Sequence, residues 1–287
     1  QLPMKGGYFM PIFAIEASLP AFASHLRQEG RSAATVEKYR CEVRRFAFWL
    51  ADRPLDREAV RTYQEALAAE RTAAGVNGAA AALNRLFAFL GRRECRMRSV
   101  RVQRQIFRDE SRELTQAEYR RLLAAAGRRN QRLLLVMQAI CATGIRVGEL
   151  RFFTVAAVAA GRVEVSGKGK VRTVLLPRKL QRLLLQYARR RGISGGPVFV
   201  TRTGRPLDRS NIWHEMKGLC REAGVAETKV FPHNLRHLFA RTYYSMEKDI
   251  VRLADILGHS SVNTTRIYTM ESGDTHRRQL ERMRLLL

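Results

Sequence analysis

Hydrophobic residues in this chain fall at helical spacing almost throughout, with one break between Arg162 and Leu176. Ser32 precedes a run in which Val36, Tyr39, Val43, Phe46, Phe48 and Leu50 approach the i, i+3, i+4, i+7 spacing of one buried helix face. Arg40, Arg44 and Arg45 fall largely on the opposite face, and Pro54 is expected to end this helix. Asp56 is placed to cap a third helix running to about Glu70, and Gly75-Val76-Asn77-Gly78 is expected to open a fourth over Ala79 to Leu90. The break reads differently. Arg162 to Val165 and Val171 to Leu176 alternate like strands around a turn, Ser166-Gly167-Lys168-Gly169-Lys170. A further short strand is expected at Pro197 to Thr201.

The expected fold is therefore mainly α with a small β-sheet or hairpin, and a chain of 287 residues is long enough for two domains. Residues 14–97 form an N-terminal four-helix domain, 98–112 a basic linker poor in apolar residues, and 113–287 a second domain. Thr115 and Glu118 make a capping box that starts the second domain's first helix.

Charge narrows the partner. Lys plus Arg number 52 against 26 Asp plus Glu, a net charge of +26, and acids this sparse point to a polyanion. No apolar run approaches a membrane span, no basic amphipathic anchor is evident, and no signal peptide is expected at the start, so the expected location is cytoplasmic, on the nucleoid when bound. Cys41, Cys95, Cys141 and Cys220 form no CxxC and no zinc spacing, and are expected as small buried hydrophobes in a reducing compartment. His233 and His237 sit at i, i+4, but no third metal ligand is evident. No Walker pattern or carboxylate cluster implies a nucleotide, a metal or any other cofactor.

Three pieces of the second domain carry chemistry. They are Thr143-Gly144-Ile145-Arg146-Val147-Gly148-Glu149-Leu150, Pro232-His233-Asn234-Leu235-Arg236-His237, and Leu257-Gly258-His259 followed by Arg266-Ile267-Tyr268. Singly, each has a plain reading: a paired Arg, a helix face, a helix start with a core tyrosine. In this order, with the glycine-flanked Lys168 between the first two, they resemble the tyrosine recombinase (phage integrase) family, which includes the Cre and Xer recombinases. The resemblance covers both domains, since Thr35, Tyr39, Phe46 and Leu50 look like part of the family's SAM-like core-binding domain.

The resemblance implies a DNA strand transferase working through a 3′-phosphotyrosyl intermediate. Arg146 and Arg236 would clamp the phosphate, Tyr268 would be the nucleophile, and His233 its base. His259 would donate a hydrogen bond to the phosphate, and Lys168, or else Lys170, would protonate the leaving oxygen. Glu149 and His237 would support these groups, while Tyr243 and Tyr244 are read as packing. Arg40, Arg44 and Arg85 are the candidate groove contacts to double-stranded DNA. The amphipathic Thr275 to Leu287, with Leu280, Met283 and Leu286, would join a homo-tetramer on DNA by docking on a neighbour, or else dock on its own domain. The resemblance leaves open integration or excision of a mobile element, chromosome-dimer resolution and accessory factors. Two alternatives stand beside it: a DNA-binding module of the same fold without strand exchange, and a relative resembling type IB topoisomerases or telomere resolvases.

Overall fold

A computed structural model describes residues 12–101, 110–167, 170–270 and 273–283. Among them no helix is long and apolar enough to cross a membrane. The chain divides into two compact units, Gln1–Arg104 and Gln105–Leu287.

The first unit holds four helices, α1 (Ile12–Gln28), α2 (Ala33–Leu50), α3 (Arg57–Glu70) and α4 (Ala73–Phe89). Three of them start where a short polar side chain satisfies a free helical N–H: Ser32 accepts from Thr35, Asp56 from Ala59 and Thr72 from Gly75. The Thr72 cap moves the start of α4 ahead of the glycine-containing tetrapeptide, so Gly75 and Gly78 lie inside the helix rather than opening it. α2 ends at Leu50, ahead of Pro54, with Ala51 at a positive φ of 48°. The core is aromatic, with Phe46 edge-on to Tyr63 at 5.0 Å and to Phe87 at 5.7 Å between ring centroids. Phe48 does not join it and is 83 % exposed, because two residues turn a helix by about 200° and carry Phe48 away from the face of Phe46. Cys41 is likewise exposed and Cys141 half-buried, so only Cys95 and Cys220 behave as buried hydrophobes. The chain beyond α4 is tied down at first. Asn84 brackets Met97, and Asn77 brackets Val100, each through both its amide oxygen and nitrogen.

The second unit begins with α5 (Gln116–Arg129), whose Thr115–Glu118 capping box is formed, and α6 (Gln131–Thr143). A 3₁₀ segment (Val147–Phe152) and α7 (Val155–Ala159) lead into the hairpin β1 (Arg162–Gly167) and β2 (Lys170–Leu175). The strands pair antiparallel, with Val165 opposite Arg172 and Val163 opposite Val174. Then follow α8 (Arg178–Arg190), α9 (Arg209–Lys217), α10 (Cys220–Ala223), α11 (Pro232–Glu247), α12 (Ile250–Leu257), α13 (Val262–Thr265) and α14 (Gly273–Arg282). Pro197 to Thr201 is not a strand. Its bonds scatter between Phe153 and Leu207, leaving isolated bridges at Thr154–Pro197 and Val200–Pro206. The core gathers Leu133, Val136, Met137 and Ile140 of α6 with Leu235 and Leu238 of α11. Packing α6 against α11 brings the end of the former close to the start of the latter, and the chemistry collects there.

Candidate active site

Two helix ends build the floor of the site. α6 stops at Gly144 and α12 at Gly258, both left-handed at φ 63° and 64°. Neither position accepts a side chain: a Cβ on Gly144 would lie 2.4 Å from Phe239 Cδ1, and one on Gly258 2.5 Å from Arg172 Cδ. Each turn leaves C-terminal carbonyls unpaired within its helix, at the negative end of the helix dipole. Arginines take them. Arg236 donates through Nη1 to Gly144 O and through Nη2 to Leu257 O at 2.8 Å, and Arg146 donates to Gly258 O at 3.2 Å.

Arg236 is 1 % exposed and is the largest fully buried side chain among the described residues. Among the described residues it forms no ion pair with a carboxylate; it donates to two carbonyls and to His259, and its Nε has no partner. Burial, then repulsion from Arg146, pulls its pKa down to about 10, so it stays cationic at neutral pH. A buried cation without a counter-charge is costly, and the arrangement suits an incoming anion.

His259 sits between Arg236 and the fully buried Thr265. Arg236 Nη2 lies 3.0 Å from its Nε2, and Thr265 Oγ1 lies 2.9 Å from its Nδ1. A guanidinium only donates, so Nε2 accepts and the ring proton resides on Nδ1, facing Thr265. Desolvation and the neighbouring Arg236, Arg146 and Arg172 push the pKa of His259 down to about 4. For Nε2 of His259 to donate toward a phosphate, Arg236 must release it and a proton must come onto it, by a change of tautomer or by protonation.

Tyr268 ends a 3₁₀ turn (Arg266–Tyr268) and is 6 % exposed. Its ring meets His237 edge-on at 5.1 Å and lies nearly parallel to His259 at 6.3 Å. Burial raises its pKa, opposed by the charge and hydrogen bonding of Arg236 and by the charge of Arg146. His233 reaches solvent at the rim, with its ring 4.5 Å from that of His237. Partial desolvation, then Arg236, Arg209 and Arg146, disfavours its protonation, as a proton acceptor requires. His237 is held at about 3, by burial first and then by His233, Arg241 and Arg236. Its Nε2 has no hydrogen-bond partner among the described residues.

Arg146, Glu149, His233, Arg236, His237, His259 and Tyr268 are thus brought together within the second unit. Lys168 lies outside the described residues; Lys170 begins β2, and its side chain is not described. Arg40, Arg44 and Arg85 belong to the first unit. Arg40 pairs with Glu37 at 2.9 Å and Arg85 with Glu29 at 3.2 Å, whereas Arg44 is exposed and forms no ion pair among the described residues. Among those residues no group of three or more His, Cys, Asp or Glu side chains could hold a metal.

The sequence reading missed two participants. Thr265, which fixes the tautomer of His259, looks like any helix threonine. Arg172 grips Glu149 through Nη1 and Nη2, at 3.1 and 2.8 Å. Its signal was register: it lies opposite the buried Val165, on the core-facing side of β2. That parity is hidden because Val171, Val174, Leu175 and Leu176 are apolar at both phases of the alternation.

Residues 112–274 match the profile of the phage integrase family, and residues 19–94 match that of the phage integrase N-terminal SAM-like domain. Tyrosine recombinase XerA of Pyrococcus furiosus is 29 % identical over 277 residues, covering 93 % of this chain and 94 % of the relative. Tyrosine recombinase XerD of Proteus mirabilis is 29 % identical over 270 residues, covering 84 % of each. Among solved structures, a lambda integrase tetramer bound to a Holliday junction superposes with a TM-score of 0.71 at 19 % identity, covering 88 % of this chain and 76 % of that one.

Proposed function

The chain belongs to the phage integrase family, and from that premise we propose that it is a site-specific DNA recombinase. Relatives that align along nearly its whole length and are named tyrosine recombinases support this reading. The observation that carries it is that Arg146, Arg236 and His259 of one chain surround a buried tyrosine, Tyr268. A protein that merely binds DNA has no use for that arrangement.

In the proposed reaction Tyr268 Oη attacks a DNA phosphorus, a new P–O bond forms, and the bond to the 5′ oxygen breaks. The extra negative charge on the non-bridging oxygens falls to Arg146 and Arg236, whose planar, permanently charged forks suit it. His233 takes the phenol proton, and Lys168, or Lys170 in its place, gives a proton to the departing 5′ oxygen. The DNA is left joined to Tyr268 through its 3′ phosphate, and a 5′ hydroxyl from a second duplex reverses the steps. Bond energy is kept in the phosphotyrosyl link, so no nucleotide or metal enters the scheme. Because Tyr268 is buried, DNA entry must draw its ring toward the phosphate.

On DNA we propose phosphate contacts from the exposed Arg44 face of α2, with Arg40 and Arg85 exchanging their carboxylates for phosphate on binding. Leu280 of α14 and Met283 just after it are 54 % and 56 % exposed, which fits docking on a neighbouring protomer in a tetramer. The resident role, mobile-element integration or chromosome-dimer resolution, is carried by the DNA site rather than by this chemistry.

The test is a plasmid holding two copies of the DNA that adjoins the gene, incubated with the protein, EDTA and no nucleotide. Deletion or inversion between the copies is expected. Relaxation of supercoils without exchange supports the topoisomerase-like alternative, and salt-sensitive binding with neither outcome supports the binding module.

A further inference from the structure

We infer that Arg172 is a positioning residue of the site: it shares the Glu149 carboxylate with Arg146, holding Arg146 in place without cancelling its charge, and fastens β2 to the segments carrying Arg146 and His259. The inference rests on the proposed recombinase chemistry and deepens it.

The carboxylate of Glu149 is saturated. Its Oε1 accepts from Arg146 Nη1 at 3.1 Å and from Arg172 Nη1 at 3.1 Å. Its Oε2 accepts from the Arg146 backbone N–H at 2.9 Å and from Arg172 Nη2 at 2.8 Å. Two oxygens with two lone pairs each have no further acceptor position. Glu149 facing Arg146 alone would close a neutral pair and turn the guanidinium's field away from a phosphate. With Arg172 included, two cations share one anion, and the group keeps a net positive charge on the side where Arg146 is half exposed.

The same side chain ties three segments of the chain together. Arg172 leaves β2 from the core-facing side, opposite Val165, and crosses the α-carbon of Gly258, where any Cβ would lie 2.5 Å from its Cδ and 2.7 Å from its Nε. Gly258 in turn presents the carbonyl that Arg146 binds, and His259 follows it. Arg172 and Glu149 are both largely buried, so their pairing is shielded from solvent. β2 starts at Lys170, and Lys168 lies just outside the described residues, so the tether holds the strand that one candidate general acid begins and the other precedes.

The test compares wild type, Arg172→Gln, Arg172→Lys and the double variant Glu149→Gln/Arg172→Gln. One readout is single-turnover formation of the covalent adduct on a nicked duplex from the DNA adjoining the gene, with Kd measured on the same duplex. The other is hydrogen–deuterium exchange of residues 147–152 and 170–175 in the free protein. Arg172→Gln is expected to slow adduct formation by about 10- to 100-fold, the usual range for an outer partner of a working cation, with Kd unchanged. Arg172→Lys should recover part of the rate, since it restores the charge without the fork. The double variant should be faster than Arg172→Gln alone, because removing the carboxylate's charge frees Arg146. Exchange should rise in both segments of Arg172→Gln. A double variant no faster than the single one overturns charge sharing, and unchanged exchange overturns the tether. Arg172→Gln cleaving at the wild-type rate overturns the inference while the recombinase reading stands. A wild type that forms no adduct contradicts that reading instead, and the exchange data still decide the tether.

Discussion

Arg236 donates to His259 across 3.0 Å, and that contact turns the imidazole proton toward Thr265 on the opposite side of the ring. A strongly cationic pocket therefore contains a histidine that is neutral at neutral pH. The same field and the same burial act on His237, which makes the whole site resistant to protonation. The proposed chemistry benefits through His233, whose protonation the same arginines disfavour and which must be free of its proton to accept that of the phenol.

That resistance has a cost in acid. His237 and His259 are neutral in the native state down to about 3 and about 4, while in the unfolded chain they protonate near 6.5. Below pH 6.5 the unfolded state binds protons that the native state refuses, so stability falls as pH drops through that window. Urea unfolding at pH 7 and pH 4.5 should show wild type losing more stability than His237→Leu, by on the order of 2–3 kcal/mol. Parallel pH dependences in the two proteins would contradict the buried, neutral His237.

Gly144 is held by both backbone angle and space, and Gly144→Ala should lower stability by about 2–4 kcal/mol. Adding Phe239→Leu should return part of this loss by relieving the contact with Phe239, while the 2.9 Å approach to Leu257 Cδ2 and the strain of φ 63° remain. Thermal melts of the two variants separate these contributions. Full recovery in the double variant would mean that the backbone angle costs nothing.

Two phenylalanines only two positions apart in α2 should behave oppositely. Phe46→Ala removes the ring that touches Tyr63 and Phe87 and should cost about 3–5 kcal/mol. Phe48→Ala should change stability by less than about 0.5 kcal/mol, since its side chain is already in water. Denaturant midpoints measure both. An equal loss in the two would restore the reading that places Phe48 in the core.

Arg44 is the arginine among the three DNA candidates whose charge no carboxylate offsets among the described residues. If it meets a phosphate, Arg44→Ala should weaken binding evenly across DNA sequences and reduce the slope of log K against log salt by about 1. A changed sequence preference with the slope intact would point to a base contact instead.

Much of the candidate site was legible because most of the side chains that the fold gathers there sit in short motifs. Arg146 two residues after Gly144, the spacing of His233 and Arg236, and the step from His259 to Tyr268 are local patterns. Helix starts were legible where a side chain accepts from the backbone, as at Ser32, Asp56 and Thr115. The start of α4 was not, because glycines read as breakers while the decisive group was the Thr72 hydroxyl just ahead of them. Phe48 was misread because a run of aromatics blurs the helical phase. Arg172 stayed hidden because β2 is apolar on both parities, and its partner Glu149 lies 23 residues away in sequence. What the sequence withholds is contact made across the fold.

The most direct test of the account is covalent trapping with a nicked suicide duplex from the DNA adjoining the gene, comparing wild type with Tyr268→Phe on a denaturing gel and locating the modified peptide by mass spectrometry. A wild-type adduct is expected on the peptide containing Tyr268, and none with Tyr268→Phe. An adduct that survives in Tyr268→Phe, or that maps to Tyr243 or Tyr244, would contradict it.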